Sequence, residues 1–306
     1  MKVVLLSGGV GGARFAQGLV DVVDPADVTI LANVGDDLEV FGLHVSPDVD
    51  TVLYTLAGLA DEERGWGRRG ETWTALATAA ELGGDTWFRL GDGDLGLHLV
   101  RTEALRRGER LSMVVGRLAE ALGVEAAIVP ATDDRLRTRV LTPAGELPFQ
   151  EWFVRRGHRD DVDGIVLEGA ETAEPAPGAL DALEAADLIV IAPSNPYVSI
   201  GPILAVEGIR QAIVNRRAPA VAVSPLVGGR AVKGPADRML ARLAGGTAPR
   251  HVASCYEGLV DALVIDEADS PEGLDVRPIV TRTLMTDADA RRRVAEAALE
   301  AAAALR

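Results

Sequence analysis

The chain has 306 residues, with 46 acidic and 31 basic side chains and a formal net charge of −15. A hydrophobic content of 48% at this length is typical of a globular protein with a sizeable core and excludes a disordered chain. The acidic balance excludes a generic nucleic-acid binder, because affinity for a phosphate backbone needs clustered Lys and Arg. The single cysteine, Cys255, excludes a disulfide framework and a zinc ribbon.

The first nine residues contain an apolar run that is too short for a signal sequence or a membrane span. We therefore expect a soluble cytoplasmic protein with no membrane partner. Small nucleotides remain possible ligands, because they do not need an extended basic surface.

Short apolar runs alternate with longer helical stretches, a pattern typical of βαβ units around a mainly parallel sheet. We predict an α/β fold, a Rossmann-like doubly wound sheet, in one domain over residues 1–306. The predicted strands are Lys2–Ser7, Val28–Asn33, Glu125–Pro130, Gly164–Leu167, Leu188–Ala192, Ala220–Ser224 and Ala262–Ile265. The predicted helices are Arg14–Val23, Thr51–Leu59, Thr72–Leu82, Leu95–Arg107, Leu111–Leu122, Pro202–Asn215, Asp237–Leu243 and Asp287–Arg306.

One segment interrupts this alternation. Leu136–Phe153 has two strand-like runs around Pro143-Ala144-Gly145, which is a hairpin signal. Together with the helices that precede it, this hairpin predicts a smaller cap formed by about residues 51–122 and 136–153.

A glycine-rich turn follows the first predicted strand and contains Gly8, Gly9, Gly11 and Gly12. Glycines at this place let the backbone approach a phosphate, while amides at the start of the next helix donate to it. Arg14 stands where a dinucleotide fingerprint has its third glycine, and the Lys-Ser/Thr ending of a P-loop is missing. A phosphate site and a tight turn without a ligand both remain open.

Two further loops of small residues follow predicted strands. One contains Ser194 and Asn195, and the other contains Ser224 and Gly228. Ligands of α/β proteins bind at the carboxyl ends of the strands, so the three loops predict a crevice that fits a nucleotide diphosphate.

Acidic residues surround the second strand and the helix after it. Asp36 follows the strand, and Asp48 and Asp50 precede or begin the helix. Carboxylates beside a phosphate site supply the hard oxygen ligands that Mg²⁺ prefers, whereas helix capping is the structural alternative. The four histidines are scattered along the chain and predict no transition-metal site.

Aromatic and charged residues alternate between positions 64 and 94. Trp66, Trp87 and Arg89 in this region predict a pocket for a flat ring, and Trp packing inside a lid is the alternative.

Nine short motifs, taken in their order along the chain, resemble those of the 2-phospho-L-lactate transferase family of coenzyme F420 biosynthesis. The resemblance extends from the first strand to about Asp266. The matching motifs are Ser7–Arg14, Asn33–Asp37, Ser46–Thr51, Arg64–Gly67, Arg89–Asp92, Ala131–Asp134, Pro193–Pro196, Ser199–Pro202 and Ser224–Pro225. The glycine turn and the Arg64–Gly67 stretch are more similar to the actinobacterial phosphoenolpyruvate branch.

The resemblance implies a Mg²⁺-dependent homodimeric transferase. It would move a phosphoenolpyruvyl or 2-phospholactyl group from a guanosine diphosphate conjugate to the deazaflavin alcohol Fo. The reaction would release GMP and form dehydro coenzyme F420-0 or coenzyme F420-0.

The family positions imply roles for particular residues. Asp50 and Arg89 match positions associated with catalysis and with Fo, beside Trp66 and Trp87. The metal site is expected at Asp36, Asp48 and Asp50. The nucleotide site is expected at Gly8, Gly9, Gly11, Gly12, Asn33, Ser194, Asn195 and Gly228.

The sequence departs from the family at one motif. The family often has Gly-Asp-Arg-Asp where this chain has Gly91-Asp92-Gly93-Asp94, and Arg89 and Arg101 are the candidates to supply the lost charge. A related group of regulatory proteins that bind nucleotide sugars without evident catalysis is the main alternative. An NAD-dependent oxidoreductase is a weaker one, because the fingerprint fails at Arg14.

Overall fold

The computed structural model describes residues 1–305. Its strands are β1 (Val3–Ser7), β2 (Val28–Ala32), β3 (Leu38–Val40), β4 (Leu43–Val45), β5 (Ala127–Pro130), β6 (Arg137–Thr142), β7 (Gly145–Pro148), β8 (Gly164–Glu168), β9 (Leu188–Ile191), β10 (Ala220–Val223), β11 (Leu226–Val227), β12 (Arg230–Ala231), β13 (Ala262–Asp266) and β14 (Arg277–Thr281).

The α-helices alternate with many of these strands. They are α1 (Gly9–Val20), α2 (Pro47–Leu56), α3 (Thr74–Glu81), α4 (Asp92–Arg106), α5 (Leu111–Ala121), α6 (Ala179–Glu184), α7 (Gly201–Ala205), α8 (Ile209–Val214), α9 (Ala236–Leu243), α10 (Pro249–Ser254) and α11 (Ala288–Ala303). Within residues 1–305, none of them combines the length and the apolar character that crossing a membrane requires.

Seven parallel strands form the central sheet in the order β14-β13-β10-β9-β1-β2-β5. The chain starts at β1, moves outward through β2 to β5, and then returns to the other side of β1 at β9. The direction in which the chain adds strands therefore reverses between β1 and β9. Ligands of doubly wound folds bind at this reversal point. This topology confirms the predicted doubly wound α/β fold.

The central strands are buried on both faces, as expected for a parallel sheet covered by helices. Every residue of β1, β9, β10 and β13 is buried. Helix α1 packs between α2 and α11, which brings the N-terminal and C-terminal parts of the chain together.

A separate antiparallel sheet contains β7, β6 and β8 in that order. The predicted hairpin is confirmed as β6 and β7. The predicted strand Gly164–Leu167 exists as β8, but it pairs with β6 and does not join the central sheet. Alternating half-exposed positions in β8 explain this, because a central parallel strand would be buried on both faces.

Other elements also differ from the prediction. The short elements β3, β4, β11, β12, α6 and α10 were not predicted, and α1 begins at Gly9 rather than at Arg14, so the glycine turn continues into the first turn of this helix. Strand β14 was not predicted, because it is a half-exposed edge strand that includes Pro278 and lacks an apolar run. The predicted helix Pro202–Asn215 is divided into α7 and α8 before Gly208, which has a φ of +83°. The predicted C-terminal helix is α11, and its proposed last residue, Arg306, lies outside the described residues.

The predicted cap includes elements with two kinds of packing. Helices α2 and α5 bury apolar residues in the main core. Leu90, which is also within the predicted cap, instead packs in a small cluster with Val40 and Val45 of the hairpin β3–β4, which lies outside the predicted cap. The boundaries of a cap as a separate unit stay a prediction.

We predict opposite effects for two glycine substitutions inside helices. A Cβ at Gly18 of α1 would lie 2.3 Å from the Arg291 carbonyl oxygen, whereas a Cβ at Gly116 of α5 has no neighbour within 4 Å. Gly18→Ala should lower the free energy of unfolding by about 1–3 kcal/mol through overpacking of α1 on α11. Gly116→Ala, the matched control, should raise it by about 0.4–1 kcal/mol. Urea unfolding measures both, and equal effects would contradict this packing.

Candidate functional site

The glycine turn and the loop after β9 meet at the reversal point of the sheet. The amide of Gly8 donates to Ser194 Oγ over 3.3 Å, and Ser194 Oγ donates to the Gly8 carbonyl over 2.7 Å. A Cβ at Gly11 would lie 2.6 Å from the Pro193 carbonyl oxygen, and one at Gly12 would lie 2.6 Å from Ser194 Oγ. These positions require glycine because the two loops approach so closely.

The same turn contacts the start of α2. A Cβ at Gly8 would lie 2.5 Å from Asp48 Oδ2, and the Gly9 amide donates to the Asp48 carboxylate. Gly9 has a φ of +66°, a conformation that side chains rarely adopt. The first amides of α1 therefore face a carboxylate that belongs to the next helix.

Asn33 joins this arrangement from the end of β2. Its side-chain nitrogen lies 3.1 Å from Asp36 Oδ1, 2.9 Å from Asp48 Oδ2 and 3.1 Å from the Val198 carbonyl oxygen. Its side-chain oxygen accepts from the Gly35 amide over 2.8 Å. One buried amide group thus holds two buried carboxylates beside the glycine turn.

The pKa values of these two carboxyl groups are raised. Burial, followed by repulsion from Asp48, raises the pKa of Asp36 well above its usual range. Burial raises the pKa of Asp48 to about 6, although hydrogen bonds from Asn33 and Gly9 oppose this increase. A positive charge between the two carboxylates would remove this cost.

Mg²⁺ fits this pair of oxygen ligands, because it is commonly bound by one or two carboxylates together with phosphate oxygens and waters. No group of three or more His, Cys, Asp or Glu that could hold a metal is present in residues 1–305. Mg²⁺ held by only one or two carboxylates generally takes its remaining ligands from water and phosphate oxygens.

Asp50 faces a different neighbour from Asp48. Both of its oxygens accept from the fully buried Arg101 guanidinium, with Nη1 to Oδ2 at 3.0 Å. His98 Nδ1 lies 3.8 Å from Asp50 Oδ2, and His98 Nε2 lies 3.2 Å from Asp94. Asp94 also accepts from Tyr54 over 2.6 Å. The predicted metal trio is thus divided, with Asp36 and Asp48 together and Asp50 turned toward α4.

Four residues form an aromatic and cationic cluster in the 64–89 region. The ring centroids of Trp66 and Trp73 are 6.3 Å apart. The Arg89 guanidinium lies 4.6 Å from the Trp73 ring, and that of Arg64 lies 5.0 Å from it. Sequence reasoning missed Trp73, which connects Trp66 to Arg89.

The segment before α3 holds Trp73 in place through reciprocal contacts with α4. The Asp92 carboxylate accepts from the amides of Thr74 and Ala75, and the Glu71 carboxylate accepts from those of Gly93 and Asp94. Trp87 lies in another cluster, where it contacts Phe88 and the Arg155 guanidinium. Its predicted contact with a flat substrate ring stays a prediction.

The space beside Gly93 contains an arginine from elsewhere in the chain. A Cβ at Gly93 would lie 2.9 Å from Arg68 Nη1. From the sequence, Arg89 and Arg101 were predicted to replace the arginine that the family often has at the position of Gly93. Arg68 is a third candidate, and sequence reasoning missed it because it lies 25 positions earlier in the chain.

Two predicted nucleotide-binding residues already have partners within the protein. The Asn195 side chain accepts from the Tyr197 amide over 2.9 Å and caps the short π-helix Pro196–Ile200. Gly228 and Gly229 form the turn between β11 and β12, and their amides donate to Asp269 over 3.1 and 2.8 Å. Their contact with a nucleotide stays a prediction.

These features define a class of protein. It is a doubly wound α/β protein with a glycine turn, closely spaced carboxylates and a cationic aromatic cluster around the reversal point of its sheet. The family model described as 2-phospho-L-lactate transferase CofD matches residues 3–303. The chain belongs to this family and is a transferase.

Curated relatives agree with this assignment. A protein of Kitasatospora aureofaciens named phosphoenolpyruvate transferase is 43% identical over 318 residues, covering 100% of this chain and 99% of the relative. A protein of Streptomyces griseus with the same name is 43% identical over 317 residues, covering 100% of this chain and 100% of the relative.

A solved structure shares the fold. A protein from Bacillus halodurans, described as a member of the UPF0052 family, matches with a TM-score of 0.63. Sequence identity is 18%, and the match covers 97% of this chain and 98% of the other. At this identity the similarity supports the fold alone.

We predict that removing the charge of Asp48 stabilises the metal-free protein at neutral pH. Because its native pKa of about 6 exceeds the ordinary 3.8, Asp48 stabilises the fold below pH 4, and this stabilisation is lost as the pH rises through 6. Asp48→Asn should therefore raise the free energy of unfolding at pH 7.5 by up to about 3 kcal/mol, since a pKa difference of one corresponds to about 1.4 kcal/mol.

Urea unfolding with a chelator at pH 4.5 and 7.5 tests this prediction. The difference between the variant and the original protein should shrink at pH 4.5. Asp85→Asn is the control, because the Asp85 side chain is 61% exposed. A variant that is less stable than the original protein at pH 7.5 would contradict the electrostatic interpretation of the pair.

Proposed function

We propose that this chain transfers a phosphoenolpyruvyl group from a guanosine diphosphate conjugate to Fo, releasing GMP and forming dehydro coenzyme F420-0. The names of the curated relatives support the enolpyruvyl donor over the lactyl donor. One observation supports the location of the active site. The glycine turn contacts Asp48 and Asn33 at the reversal point of the sheet.

The donor diphosphate would lie against the glycine turn, where the first amides of α1 and the helix dipole attract anions. Ser194 would line the same place, because it contacts both Gly8 and the space beside Gly12. Asp36 and Asp48 would hold Mg²⁺, which would supply positive charge to the diphosphate oxygens.

The transfer itself needs an aligned alcohol and charge neutralisation more than covalent chemistry from the protein. The terminal ribityl hydroxyl of Fo attacks the phosphorus that carries the enolpyruvyl group. The bond from that phosphorus to the GMP oxygen breaks, GMP leaves with the bridging oxygen, and the hydroxyl proton passes to water. Positioning of the hydroxyl is therefore the main task left for side chains.

Asp50 is our candidate for orienting this hydroxyl. Arg101 engages both Asp50 oxygens, so the carboxylate is fixed in direction and less suited to a metal. Asp50 Oδ2 also accepts from the Ser46 amide over 3.4 Å, so Oδ1 is the oxygen that can accept a second hydrogen bond from the substrate hydroxyl.

The flat ring of Fo would pack against the cluster of Trp66, Trp73, Arg64 and Arg89, because a deazaflavin can stack on indole and guanidinium planes. The half-exposed indole of Trp66 is available for such a contact. A homodimer and a cytoplasmic location, both implied by the family resemblance, belong to the same proposal.

Product formation tests the proposed reaction directly. The protein is mixed with Fo, Mg²⁺ and either the enolpyruvyl or the lactyl conjugate of guanosine diphosphate, and GMP release is followed by chromatography. We expect Fo-dependent GMP release with the enolpyruvyl conjugate at the higher kcat/KM. Folded protein that binds the nucleotide but releases no GMP with either donor would favour a non-catalytic nucleotide-binding regulator.

Asp50→Asn should separate orientation of the acceptor from metal binding. We expect kcat to fall about 100-fold or more, in the range of a lost general base or positioning group. The affinity for Mg²⁺ measured by calorimetry should stay within about threefold, because Asp36 and Asp48 are unchanged. A joint loss of turnover and Mg²⁺ affinity would instead assign Asp50 to the metal.

A further inference from the structure

A cavity opens between α1 and α2, one helical turn from the glycine turn. Val10 and Arg14 line it from α1, and Thr51 and Thr55 line it from α2. Val10 follows Gly9, which contacts Asp48, and Thr51 lies one turn after Asp48 on the same helix. The cavity therefore begins within about one helical turn, roughly 5 Å, of the proposed diphosphate site.

The far side of the cavity is formed by the loop after α2. Gly65, Trp66 and Gly67 line this side. Because Trp66 also belongs to the aromatic cluster with Trp73, the cavity lies between the proposed diphosphate site and the proposed ring site. An atom at this position would be near the point where donor and acceptor meet.

Two cations at the edge of this cavity lack an acidic partner: Arg14 lines it, and Lys233 contacts Gly65, which also lines it. Within residues 1–305, Arg14 makes no hydrogen bond or ion pair. The Lys233 ammonium donates to the Gly65 carbonyl oxygen and to no carboxylate among the same residues. Burial, followed by the nearby charge of Arg14, lowers the pKa of Lys233.

The acidic side chains of the cavity are already paired. Asp61 lies 3.4 Å from Arg64, and Glu62 lies 3.2 Å from Arg291. Lys233 is exposed and Arg14 is half-buried, so both cations are available to an anion that enters the cavity, and an anion bound between them would offset their mutual repulsion. The arrangement therefore indicates a ligand that brings its own negative charge.

We propose that Arg14 and Lys233 bind the carboxylate of the donor's enolpyruvyl group in this cavity. The proposal rests on the proposed function. The amides of the glycine turn, with a cation held by Asp36 and Asp48, would neutralise the diphosphate, so the enolpyruvyl carboxylate is the anionic group of the donor that still needs a partner. A guanidinium and an ammonium from two different elements suit a planar carboxylate.

Arg14→Met and Lys233→Met test this assignment in the full-length protein. Each should raise the KM for the enolpyruvyl conjugate about 10- to 100-fold, the usual effect of losing one charged hydrogen bond. The dissociation constant for GDP, which has phosphates but no carboxylate, should stay within about threefold. Equal losses for both ligands, or an unchanged KM, would overturn the proposal.

The chain offers matched controls. Lys2 is its only other lysine, and both Lys2 and Arg217 are exposed. Lys2 and Arg217 precede β1 and β10 respectively, so they lie at the opposite edge of the sheet from the glycine turn. Lys2→Met and Arg217→Met should leave the KM and the GDP affinity unchanged, and thermal unfolding confirms that all four variants fold.

A binding measurement separates this proposal from the proposed reaction. Free phosphoenolpyruvate and inorganic phosphate are titrated separately into the protein, and tryptophan fluorescence reports on Trp66. Saturable binding of phosphoenolpyruvate, at least tenfold tighter than phosphate and weakened at least tenfold in Lys233→Met, would support the carboxylate site even if no GMP is released. Equal affinity for the two anions, or no saturable binding, would overturn it.

Discussion

One buried amide group, the side chain of Asn33, determines the arrangement of the site. It donates toward two carboxylates that would otherwise repel each other in a water-poor environment, and both remain short of compensating charge. Such a pair is costly to the fold unless a ligand supplies a cation. The glycine turn beside it contributes amides that favour an anion, so the site suits a cation and an anion bound together.

The sheet topology explains why these groups meet. Asn33 follows β2, the glycine turn follows β1, and Ser194 follows β9, which are three adjacent strands with parallel carboxyl ends. Helix α2 adds Asp48 on one side and Asp50 on another, because successive positions of a helix point in different directions. Asp48 thus faces the glycine turn, whereas Asp50 faces Arg101 on α4.

Chain order was sufficient to predict the parts of the site that directly follow strands. The glycine turn, Asn33 and Ser194 could be grouped because carboxyl ends of parallel strands share an edge. Arg101 and Asp94 of α4 could not be grouped with α2 in this way, since their contacts with Asp50 and Tyr54 depend on how α4 crosses α2. Lys233 contacts Gly65 across 168 positions, and no local pattern indicates that contact.

The same distinction applies to the fold, because local sequence patterns predict individual strands but not which strands pair. Strands with continuous apolar runs, such as Leu188–Ile191, were predicted because burial on both faces leaves a clear pattern. Strand β14 lacks such a run, and β8 was predicted as a strand but its partner was not. Propensity indicates that a strand exists, whereas its neighbour is decided by packing over the whole chain.

The central claim is that the carboxylate pair and the glycine turn bind a cation and a diphosphate jointly. Calorimetric titration of GDP with and without Mg²⁺ measures this coupling directly. We predict that saturating Mg²⁺ tightens GDP binding at least tenfold and that Asn33→Ala abolishes most of this gain. The same GDP affinity with and without Mg²⁺ in the unsubstituted protein would contradict it.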